Sequence, residues 1–172
     1  MPDEVTVDQL FDMAIAAERK AEHVYRRLQA MFAPHPDVVR FWRDYATAED
    51  SHAQWLERIR GTLNPDQLAA PADPCTVSAA QELLRFPVEQ ALQGIKTLDD
   101  AYQLASEMES GETNVVFDFL IGHCASDPQA QGFMRSQLKD HISKISTGFP
   151  ARFRGSASRL LVKAIKPDTT QN

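Results

Sequence analysis

The chain has 172 residues, of which 43% are hydrophobic and 24% charged, with only 7 glycines. That make-up excludes a disordered chain and fits one globular domain with a sizeable core. A net charge of -6 argues against nucleic-acid binding as the main role, and no apolar run is long enough to span a membrane.

The start, MPDEVTVDQL, is acidic and lacks the basic and apolar regions of a leader, so a cytoplasmic protein is expected. Cys75 and Cys124 lie far apart with no Cys-x-x-Cys, which excludes a rubredoxin or zinc-ribbon module and leaves two reduced thiols.

The first predicted helix covers residues 6–32, with Thr6 as cap and Asp8 in the first turn. Its apolar stripe is Val7, Leu10, Ala14, Ala21, Tyr25, Leu28 and Phe32, interrupted by Glu18. After Ala33-Pro34-His35-Pro36 a second helix covers residues 36–63 and forms an antiparallel hairpin with the first. Its stripe of Val38, Phe41 or Trp42, Tyr45, Leu56 and Ile59 is interrupted by Glu49 and His52. A buried carboxylate needs a partner, and a metal ion suits a carboxylate and an imidazole on adjacent turns. Glu18, Glu49 and His52 are nearly equidistant from the turn, so the helical rise puts all three at one level.

Residues 61–96 contain Pro65, Pro71, Pro74 and Pro87, with short helical pieces expected at 78–85 and 88–95. This stretch is too long for a tight turn, and its apolar content marks a packed crossover the length of the bundle. A third helix is predicted over residues 97–124, with Tyr102, Ala105, Glu109, Glu112, Val116 and Phe119 on one stripe. Asp127 then caps a fourth helix that begins at Pro128, ends near 147 and aligns Met134, Leu138, His141 and Ile145. The domain is expected to span residues 1–149. Residues 150–172, with Arg152, Arg154, Arg159, Lys163 and Lys166, read as a basic tail or a short fifth helix.

The two halves echo each other. Glu18 precedes Glu49 by 31 residues, and Glu109 precedes Leu138 by 29, with His52 and His141 three residues further on. ERKAEHVY, AEDSHA and ASEMESGETNVVF together resemble the ferritin-like superfamily of di-iron carboxylate proteins, and within it the rubrerythrin-type domain. The resemblance spans residues 5–147. It implies an all-α, ferritin-like four-helix bundle of two hairpins joined by a long crossover.

The resemblance further implies a metal site of Glu18, Glu49, His52, Glu109 and His141, with two irons, or manganese, per chain. Glu49 would bridge, His52 and His141 would each cap one metal, and Tyr25 and Tyr45 would hydrogen-bond the ligand carboxylates. The family expects a Glu where this chain has Leu138, so Glu112 stands as a substitute ligand, or a single metal is held. Gln137 is one turn from His141 and neutral. The implied activity is peroxidase-like or ferroxidase-like, with peroxide or dioxygen as oxidant, a separate electron donor and a homodimeric assembly. The competing expectation is a metal-poor bundle that acts by binding or dimerisation, which Leu138 favours.

Overall fold

A computed structural model of the chain describes residues 4–109 and 113–153. Eight α-helices lie within them: α1 (Val7–Met31), α2 (Pro36–Thr62), α3 (Pro65–Ala69), α4 (Pro74–Arg85), α5 (Val88–Gly94), α6 (Leu98–Glu109), α7 (Thr113–Cys124) and α8 (Pro128–Thr147). Local chemistry sets several starts. The Thr6 hydroxyl accepts from the Gln9 amide while the Gln9 side chain accepts from the Thr6 amide. Asn64 and Gln67 repeat that box at α3, and Asp73 and Asp127 cap α4 and α8.

Contacts across the helices give their directions. Asp8 with Arg60, Arg19 with Asp50, and Tyr25 with Trp42 are pairs nearly equidistant from the first turn, so α1 and α2 run antiparallel. Phe149 packs on Phe41, His141 on Tyr45 and Phe133 on Trp55, so α8 also runs antiparallel to α2. Tyr102 reaches Phe149 and Phe117 reaches His52, so α6 and α7 follow α2 downward.

The connection between the halves climbs the outside of α1. Near its foot, Val7 donates to the Ala70 carbonyl and Ala72 donates to Val5. Higher up, Lys20 donates to the Leu84 carbonyl, and Glu89 meets His23 and Arg27. The connection thus packs along α1, and α4 packs against both α1 and α7.

Two parts of the sequence reading extend beyond the described residues. The expected third helix is helical over Leu98–Glu109 and Thr113–Cys124, while residues 110–112, including Glu112, lie outside the described part. At the C-terminal end, Ala151–Phe153 forms a 3-10 turn, and the remainder of the basic tail is outside the described residues.

The core falls into two apolar clusters. One gathers Val24, Tyr25, Leu28, Phe41, Trp42, Leu104, Ile145 and Phe149; the other gathers Leu10, Phe11, Leu56, Phe117, Leu120, Ile121, Met134 and Leu138. Phe149, just beyond α8, is 1% exposed and touches Phe41, Trp42 and Tyr102. Phe149→Ala is expected to lower stability by about 3 kcal/mol through lost burial and a residual cavity. Urea denaturation checks this, and a change within error of zero would mean that the chain beyond α8 does not hold the first cluster.

Candidate metal centre

Between the two apolar clusters lies a buried layer of charge. Glu18 on α1, Glu49 and His52 on α2, Glu109 on α6 and His141 on α8 are each between 2% and 6% exposed. Helical spacing explains the placement: each occupies a stripe position that its neighbours fill with apolar side chains. All five residues expected as ligands within the described chain are thus brought together.

The geometry has a centre. His52 Nδ1 is 3.0 Å from Glu49 Oε2 and 3.5 Å from Glu18 Oε2. His141 Nε2 is 3.0 Å from Glu49 Oε1 and 3.1 Å from Glu109 Oε2. Each imidazole nitrogen therefore faces two carboxylates, and Glu49 belongs to both sets through its two oxygens. The imidazole rings are 5.0 Å apart, centroid to centroid.

A proton on such a nitrogen can serve one carboxylate well and the other poorly. Glu18 Oε2 shows the deficit: it is buried and makes no hydrogen bond among the described residues. A divalent cation would satisfy carboxylates and imidazoles together, and oxygen with nitrogen donors suits iron, manganese or zinc. The donor atoms of Glu49, His52 and His141 lie within 4.8 Å of one another, so these residues could hold a metal ion.

The charges respond to this crowding. Burial, then the charge of Glu49, pushes the Glu18 carboxyl up to about 8. Burial and Glu49 likewise raise Glu109. Burial alone would raise Glu49 too, but His141 and His52 overcome it and hold Glu49 well below the carboxylate range. Burial opposes charge on His52, yet the Glu18 and Glu49 carboxylates lift it to about 9. The Glu49 and Glu109 carboxylates lift His141, against burial, to about 10.

The tyrosines divide their roles. The Tyr25 hydroxyl donates to Glu109 Oε1, as expected for a group that orients a ligand carboxylate. Tyr45 differs from the expectation, because its hydroxyl donates to the main-chain carbonyl of His141 at 2.8 Å rather than to a carboxylate. Tyr45 thereby anchors α8 to α2 at the height of the site.

Leu138, one turn before His141, is 6% exposed and belongs to the lower apolar cluster. Gln137 is exposed on the flank of α8, outside the charged layer. Glu22 and His23, next to Glu18 in the chain, lie at the surface side of α1, paired with Arg19, Arg26 and Glu89. The sequence pattern missed Trp55 and Phe117, whose rings sit 5.7 Å and 4.9 Å from the His52 ring and wall the layer. Neither stands on a stripe read from the sequence, which placed Leu56 on the second helix and the half-buried Phe119 on the third.

Family models, curated proteins and solved structures were compared with this chain, and none matches.

Without metal, the raised pKa values of His52, His141 and Glu18 have one sign. The histidines' stabilisation is complete below the ordinary 6.5 and is lost as pH rises through about 9 and about 10. Glu18 acts the same way between 4.5 and about 8. Metal displaces those protons, so its binding tightens as pH rises. The Tm gap between metal-loaded and chelator-treated protein is expected to widen between pH 6.5 and 9. A gap that narrows over this range in scanning fluorimetry would contradict the assignment of these groups as ligands.

Proposed function

We propose that the chain is a ferritin-like di-iron, or di-manganese, carboxylate protein that reacts with peroxide or dioxygen in a rubrerythrin-like peroxidase or ferroxidase reaction. The observation that carries this reading is Glu49, whose two oxygens face imidazoles from different helices while Glu18 and Glu109 stand behind them. Helix directions support it as well: the second pair runs down and up after a crossover the length of the first, as in ferritin-like bundles.

The metal, when bound, supplies the electrons with which peroxide or dioxygen is reduced. The chain supplies the rest. Glu49 links the two halves of the site, Glu18 and Glu109 add negative charge on the α1 and α6 sides, and His52 and His141 close the opposite side. Tyr25 holds Glu109 in one orientation through its donated hydrogen bond. Trp55 and Phe117 restrict water at His52. Three buried carboxylates nearly balance two divalent cations, which is what permits such charge within an apolar bundle.

The two cysteines offer no Cys-x-x-Cys iron site, so electrons for repeated turnover come from a separate donor protein. No helix of the described residues is long and apolar enough to cross a membrane.

A metal-poor binding module is the second reading, and buried Leu138 in the place of a carboxylate is the observation that favours it. Elemental analysis of protein purified without chelators separates the two. About two irons or manganese per chain, lost in Glu18→Ala, are expected. None after anaerobic iron(II) loading would sink the enzyme reading.

Leu138→Glu tests the same question from the other side. In an intact centre the new carboxylate raises iron affinity. In a metal-poor bundle it only destabilises the fold, by roughly 3 kcal/mol, as a lone buried charge. Iron titration paired with urea denaturation reads both effects.

A further inference from the structure

The charged layer is covered unequally. On the α1 and α7 side, α4 packs over both helices and the crossover ties itself to α1 through Lys20 and Leu84. On the opposite side, α2 meets α8 and the residues just after it through side-chain contacts such as Phe41 with Phe149 and Trp55 with Phe133. Between those contacts the seam is open.

Two cavities lie along it. The first, of about 380 Å³, is lined by Ser51 and Trp55 of α2 and by Gln137, Asp140 and Lys144 of α8, and it reaches both His52 and His141. The second, of about 280 Å³, runs past Asp37, Arg40 and Asp44 to His141, and Lys144 stands in its wall as well. Both lead to imidazoles, and neither is lined by Glu18 or Glu109.

The lining has a chemical character. Hydroxyls at Ser51 and Ser143, the Gln137 amide, the Asp140 carboxylate and the Lys144 ammonium offer donors and acceptors along the first cavity. The neighbouring groove between α7 and α8 differs. It is larger, about 780 Å³, and is built on Val115, Phe119, Leu138 and Ile142, and it reaches none of the five charged residues of the layer. Volume alone would favour that apolar groove as the ligand site; its separation from the charged layer argues against it.

We propose that the α2–α8 seam is the access route and binding cleft for a small, polar, hydrogen-bonding ligand, which reaches His52 and His141 from the α8 flank. His52 and His141 are only 3% and 4% exposed, so the seam narrows at its base and admits small molecules rather than chains. The inference rests on the charged layer being the reactive centre, but the route itself can be probed without metal.

The probe is the hydroxyl radical, a water-sized oxidant that attacks accessible imidazoles whether or not they are protonated, generated in short pulses by peroxide photolysis on the metal-free chain, with peptide mass spectrometry as readout. Exposed His23 and His123 serve as references within the same molecule. Oxidation of His52 and His141 is expected in the wild type, and it should slow several-fold when Gln137→Trp and Ser51→Phe obstruct the cleft. Val115→Trp, which fills the apolar groove, should leave both rates unchanged.

Should the double variant melt early by circular dichroism, Asp140→Trp alone, at an exposed position on the same rim, carries the test. Unreactive histidines in the wild type, or rates unchanged by every obstruction of the seam, would overturn the route. A parallel cobalt(II) titration keeps the two ideas apart. A seam-dependent footprint without cobalt binding supports the route and counts against the metal reading.

Discussion

The structure turns on a carboxylate shared by two imidazoles inside an apolar bundle. Glu49 could not be buried alone, since an uncompensated charge at such depth costs several kcal/mol. His52 from its own helix and His141 from α8 each approach one of its oxygens. Glu18 and Glu109 crowd further carboxyls against it, and their raised pKa values show that the layer resists holding all three as anions. A bound cation could relieve that resistance.

The two apolar clusters above and below this layer do complementary work. They supply the burial that holds four helices together, and they lower the local dielectric so that each charge interaction in the layer is strong. Leu138 shows the boundary between the two roles. It stands one turn from His141, yet its side chain belongs to the lower cluster. The second half of the chain thus contributes one fewer charged side chain to the layer than the first, and the layer is asymmetric across the bundle.

A second asymmetry is in the covering of the layer. The crossover has to return the chain to the top of the bundle, and in doing so it packs over α1 and α7. Nothing among the described residues performs that service for α2 and α8. The consequence is chemical: the sealed side presents carboxylates from α1 and α6, and the open side presents imidazoles. Tyr45 sits at the margin of that opening, where its bond to the His141 carbonyl holds α8 in place without taking part in the charged layer.

Much of this was legible in the sequence because helices repeat with a fixed period. Stripes interrupted by Glu18, Glu49, His52, Glu109 and His141, set at equal distances from turns, located a polar layer before any fold was known. Thr6, and Asp127 with the proline that follows it, marked helix starts by local hydrogen bonding. Period and capping are properties of neighbouring residues, so sequence determines them. The tertiary structure alone decided which oxygen of Glu49 faces which ring, that Tyr45 bonds a main-chain carbonyl, that Phe149 belongs to the core, and that the α2–α8 seam stays open. Those outcomes depend on rotamers and on the spacing between helices distant in the chain, which no local pattern encodes.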